Sequence, residues 1–126
     1  MINFPPTVRI FLAVQPADLR KGFDSLAALT TSAIGLDPLS GHLFVFRNRR
    51  SDRLKILYWD RDGYALWYKR LERGAFRFPQ PTADRIEVSP AEMAAILAGI
   101  DLRTARRQRR YTLPAPIPLL QGDPIV

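Results

Sequence analysis

Apolar residues along this chain fall into short runs separated by polar links. Val8–Ala13 (VRIFLA) is β-branched and aromatic and predicts a short strand. Pro16 and Asp18 then suit the first turn and the positive end of a helix. Leu19, Phe23, Leu26, Leu29 and Ala33 recur at three-to-four spacing and predict its buried stripe. Gly22 weakens that helix by roughly 1 kcal/mol relative to Ala, and Gly35, Asp37 and Pro38 end it.

Three strand-like runs follow, His42–Arg47, Arg53–Asp60 and Tyr64–Leu71, joined by residues 48–52 and by Arg61-Asp62-Gly63. The second link fits a tight hairpin with Gly63 at the positive-φ position. Alternation along these strands puts Leu43, Val45, Leu54, Ile56, Tyr58, Leu66 and Tyr68 on one face, bordered by Arg47 and Arg70. His42, Phe44, Phe46, Lys55, Leu57, Trp59, Trp67 and Lys69 fall on the other. Arg85–Val88 adds a last strand, and Ser89-Pro90-Ala91-Glu92 is a capping-box pattern opening a short helix with Met93, Ile96 and Leu97 inside. The expected fold class is therefore α+β: a mainly antiparallel sheet of about four or five strands with a central meander, and two helices. Residues 1–102 read as one domain, and 103–126 as an Arg-rich, then Pro-rich extension.

Composition narrows the function classes. A hydrophobic fraction of 47% and a charged fraction of 25% over 126 residues match one globular domain rather than a disordered chain. The absence of cysteine excludes disulfides, thiolate metal sites and thiol nucleophiles. No apolar run approaches the ~20 residues of a membrane span, and the first residues lack the cationic segment of a signal peptide. A cytoplasmic location is the expectation.

Charge changes the picture most. Nineteen Lys and Arg against twelve Asp and Glu leave +7, which favours a polyanionic partner. The excess is confined to the stretch Arg47–Arg77 and to the cluster Arg103, Arg106, Arg107, Arg109 and Arg110, while the rest of the chain is net acidic. Only Lys21, Lys55 and Lys69 are lysines. The planar guanidinium fork suits bidentate phosphate contacts and base stacking better than an ammonium does. Candidate nucleic-acid contacts are Arg47, Arg49, Arg50, Arg53, Lys55, Lys69, Arg70 and Arg73, together with the 103–110 arginines. Trp59 and Trp67 could stack on bases, although core packing is the simpler role for them.

Catalytic signatures are weak. The lone His42 stands at a strand start and reads as structural. Asp60 and Asp62 could bind magnesium as nuclease carboxylates do, but Asp in a D-x-D-G turn is chiefly a turn former. No phosphate-binding loop, zinc-protease helix or nucleophile elbow occurs. No enzyme activity, metal or cofactor is expected.

One resemblance covers most of the chain. The string Asp18-Leu19-Arg20-Lys21-Gly22-Phe23-Asp24-Ser25-Leu26, the stretch Asp37–Arg50 (DPLSGHLFVFRNRR), Asp52–Asp60 with Gly63, and Lys69–Phe76 occur in order from about Val8 to Asp101. In these motifs the chain resembles the TnpB accessory transposition proteins, second-reading-frame products of insertion sequence sixty-six elements. Phe78-Pro79 stands where that family commonly has Trp-Pro. The resemblance implies a bacterial protein that assists a separate DDE transposase, and it carries over no catalytic residue.

The residues and the resemblance together lead to a non-catalytic factor that binds DNA, at element ends or target, beside the transposase. A tethering module with no DNA affinity of its own is the alternative, and a metal-dependent nuclease using Asp60 and Asp62 is a weaker one.

Overall fold

The structure, a computed structural model, describes residues 7–81 and 85–103 and the backbone of residues 106–107. Strands β1 (Ile10–Ala13), β2 (Leu43–Arg47), β3 (Arg53–Asp60), β4 (Gly63–Arg70) and β5 (Arg85–Val88) form one mixed sheet in the order β4-β3-β2-β1-β5. Only the β1–β2 pair is parallel. Parallel neighbours need a crossover, which helix α1 (Phe23–Leu29) supplies. A π-helical turn over Thr30–Ile34 continues it, and Gly35 closes the helix at φ 79°. Helix α2 (Pro90–Leu97) follows β5, and a two-residue ribbon of β6 (Ile100–Asp101) with β7 (Arg106–Arg107) comes after it. The expected α+β class and the β2–β3–β4 meander are both present.

The sheet lies between two apolar clusters. Ile10, Leu12, Leu43, Val45, Leu54 and Ile56 pack with Met93, Ile96 and Leu97 of α2, and with Phe76 and Phe78 from the β4–β5 connection. On the opposite face Phe11, Ala13, Phe44, Phe46 and Leu57 pack with Leu19, with Leu26 of α1 and with Ile34. The two innermost strands are thus buried on both sides and read as continuous apolar runs rather than alternating ones. Fully burying one such Leu, Ile or Phe contributes roughly 1.5–3 kcal/mol.

Two expectations need correction. The helix does not begin near Pro16. Asp18 instead closes a turn, accepting the Arg20 amide at its side chain (3.0 Å) and the Lys21 amide at its carbonyl (3.1 Å), and Gly22 becomes the residue before the helix. Leu19 therefore packs from a loop, and Phe23 is 48% exposed instead of lying on the buried stripe.

The second correction concerns β4. Asp60 pairs with Gly63, so the hairpin turn holds two residues rather than three. Arg61, at φ 58°, takes the left-handed position expected of Gly63. That one-residue change reverses the faces of the whole strand. Leu66 lies with Leu57 on the α1 side, whereas Trp67, opposite Ile56, lies on the α2 side. Tyr68 and Arg70 consequently join Lys55 on the α1 side, and Lys69 joins Arg47 on the α2 side.

Candidate nucleic-acid interface

Register brings four of the basic and aromatic side chains together at one end of the β3–β4 hairpin. Arg53 stands opposite Arg70, and Lys55 stands opposite Tyr68, all on the α1 face. The Lys55 ammonium lies 4.9 Å from the centre of the Tyr68 ring and donates 2.9 Å to the Lys21 carbonyl. Arg53 Nη1 donates 3.4 Å to the Tyr68 hydroxyl. Tyr68 nevertheless keeps 50% of its surface open, and Phe23 is similarly exposed at the start of α1. An open aromatic ring flanked by cations can stack on a base while its neighbours hold phosphates. Sequence reasoning missed Tyr68 because the three-residue turn put it on the apolar face.

Arg70 forms an ion pair with Glu72 at 2.7 Å. None of Arg49, Arg50, Arg53, Lys55, Lys69 or Arg73 makes an ion pair with a carboxylate among the described residues. Like charges facing one another across a strand pair are destabilising, so the Arg53–Arg70 juxtaposition leaves a repulsion that Glu72 only partly offsets.

Arg49 and Arg50 project from the turn between β2 and β3, which Asn48 organises. Its side chain donates 2.6 Å to Asp52 Oδ1 and accepts 3.0 Å from the Arg53 amide, and its carbonyl accepts 3.0 Å from the Ser51 amide. The Asn48 hydrogen bond, aided by Arg50 and Arg53, holds the Asp52 carboxyl below its ordinary range. The turn is also tied to the chain beyond β4, since Asp52 and Ser51 carbonyls accept from the Leu71 and Phe76 amides at 2.7 Å each.

Arg47 does not join that surface. At the end of β2, half-buried on the α2 side, its guanidinium lies 4.9 Å from the Phe78 ring centre and donates to the Ser51 hydroxyl at 2.7 Å and to the Val14 carbonyl at 3.4 Å. Its Nε is buried without a partner among the described residues, a deficit of about 1–3 kcal/mol for an orphaned donor. Burial pulls its pKa down from the usual arginine value. It lines a cleft of about 210 Å³ with Ser51, Arg77, Phe78, Gln80 and Arg103.

Arg103 is held by Asp101, which accepts from its amide at 3.0 Å and from its Nε at 3.3 Å. Arg106 and Arg107 pair with Asp101 and Ile100 through the backbone, and Arg109 and Arg110 lie outside the described residues.

His42 serves the fold: its Nδ1 accepts the Arg9 amide at 3.1 Å and its ring meets Phe11 edge-on. Trp59 packs edge-on against Tyr64 at 5.1 Å, while Trp67 packs against the α2-side core. Asp60 and Asp62 are exposed at either side of Arg61. Among the described residues, no group of three or more His, Cys, Asp or Glu is placed to hold a metal ion. No helix among them is long and apolar enough to cross a membrane.

Residues 8–107 match the family model described as IS66 Orf2 like protein. Two curated relatives from Sinorhizobium fredii (strain NBRC 101917 / NGR234) are similar over nearly their full lengths. The uncharacterized protein y4jC is 43% identical over 108 residues, covering 86% of this chain and 92% of the relative. The uncharacterized protein y4hO is 41% identical over 112 residues, covering 89% and 97%. No solved structure gives a significant match. With a family match spanning both faces of the sheet and both helices, the chain belongs to the IS66 Orf2-like TnpB family, accessory proteins of insertion-sequence transposition.

Proposed function

We propose that the protein binds DNA as a non-catalytic accessory factor, beside a separate transposase that breaks and joins the strands. The observation that carries this reading is the face on which Arg53 opposes Arg70 and Lys55 opposes Tyr68. Phosphates would turn the repulsion between these cations into attraction, and the release of condensed counterions would add affinity. Arg49 and Arg50 extend the surface at the nearby β2–β3 turn, while Lys69, Arg73 and the arginines from Arg103 to Arg110 supply further positive charge. A cytoplasmic location, where the element's DNA resides, accords with this role.

A salt-titrated binding assay tests it, using element-end and random duplexes. Affinity is expected to fall steeply with salt, and the Arg53→Ala/Lys55→Ala double variant is expected to flatten the log–log slope by about 2. Preference for element ends would assign a role in recognising them, and equal affinity a general grip on the backbone. No binding at low salt, with nuclease-resistant co-purification with the transposase, would replace DNA binding by tethering.

A further inference from the structure

We infer that the cleft between the end of β2 and residues 76–81 is a phosphoryl-binding site, taking a phosphate monoester dianion that is free or ends a nucleic-acid strand. Three guanidinium-bearing residues, Arg47, Arg77 and Arg103, line it. Among the described residues, the carboxylate that pairs with these guanidinium groups is Asp101, bonded to Arg103 and attracted by Arg77 as well, so three positive charges face one negative charge. That balance fits a dianion better than the single charge of a carboxylate.

The local geometry is that of a prepared donor set. Arg47 is clamped between the Ser51 hydroxyl and the Phe78 ring, and its buried donor Nε is unanswered among the described residues. An oxyanion that reaches the Nε edge of the fork, as the Phe78 ring over it shifts aside, would answer that donor and make the bidentate contact for which guanidinium is shaped. Ser51 accepts from Arg47 and keeps its own hydroxyl proton to donate. Phe76, Phe78, Pro79 and Pro81 form apolar walls, and such surroundings strengthen every charge interaction inside them. The volume of about 210 Å³ admits a phosphoryl group with part of a sugar. This cleft opens on the α2 side of the sheet, so its occupancy is separable from binding at the Lys55–Tyr68 face.

The test measures thermal stabilisation by inorganic phosphate, and the affinities of one short oligonucleotide carrying either a 5′-phosphate or a 5′-hydroxyl. The expected results are stabilisation by phosphate and an affinity at least about tenfold higher for the phosphorylated strand. Both are expected to vanish in Arg77→Glu and to persist in Lys55→Ala. Arg77 is exposed, so its variant folds even where replacement of Arg47 disturbs the β2–β3 turn. Stabilisation by phosphate without preference for the phosphorylated strand would support the site and assign it to a free phosphoryl compound. No stabilisation and equal affinity for the two strands would overturn it, whatever duplex binding Lys55 supports.

Discussion

Asp60 faces Gly63 across the β3–β4 hairpin, so Arg61 and Asp62 alone make the turn. This pairing decides which side of the sheet each β4 side chain occupies, and it can be tested directly. Gly63 sits in strand geometry outside the left-handed region, and a Cβ built on it meets nothing within 4 Å. Gly63→Thr is therefore expected to stabilise the fold by about 0.5–1 kcal/mol, read from denaturant midpoints. Were Gly63 the left-handed turn residue, the same change would destabilise.

Strand limits and the cap of α2 were legible because they depend on local chemistry. β3 and β5 match their sequence boundaries, and the Ser89–Glu92 box forms with both reciprocal hydrogen bonds. The errors arise where one residue of loop length decides a non-local outcome. A D-x-D-G link fits a two- or a three-residue turn equally by composition, yet the choice moves Tyr68 to Lys55 and Lys69 away from it. Likewise, the one signal in the run from Asp18 to Gly22 against a first helical turn is Gly22, whose cost of roughly 1 kcal/mol weakens a helix without saying where it starts. The cleft at Arg47 was invisible for another reason: residues far apart in the chain build it.

At the interface, Tyr68→Ala is expected to weaken binding to single-stranded oligonucleotides by about 1–3 kcal/mol, measured by fluorescence anisotropy. Duplex affinity is expected to change less, because paired bases present no free face for the ring. Equal losses on both substrates would reduce Tyr68 to a support for Lys55.

Ser89→Ala removes the side chain that accepts the Glu92 amide at 3.1 Å. The expected cost is about 1 kcal/mol, seen as a lower denaturant midpoint with an unchanged slope. Oligonucleotide affinity is expected to stay at the wild-type value, since α2 lies across the sheet from Tyr68.

Acid sensitivity is expected from carboxyls held below their ordinary range, Asp18 and Asp52 among them. Arg20 lowers Asp18 through side-chain and backbone hydrogen bonds, and Asn48 lowers Asp52. A depressed folded-state pKa gives stability that is present above the unfolded value near 4 and lost as pH falls through the folded one. The melting temperature is thus expected to drop as pH falls below about 4. Asp52→Ala is expected to lie below wild type at neutral pH and to approach it in strong acid. A gap independent of pH would show that the Asp52 charge contributes nothing.

Because β1 joins β2 on one edge and β5 on the other, a strand that leaves the ribosome early waits for one made some seventy residues later. Ile10 meets Leu43 early but reaches Val88 only when the β5 segment has emerged. Until then a growing polypeptide presents the bare flank of an apolar strand to the crowded cell. Nascent chains stalled before Arg85 are accordingly expected to recruit chaperones and to be cut readily by protease, while those released after α2 resist.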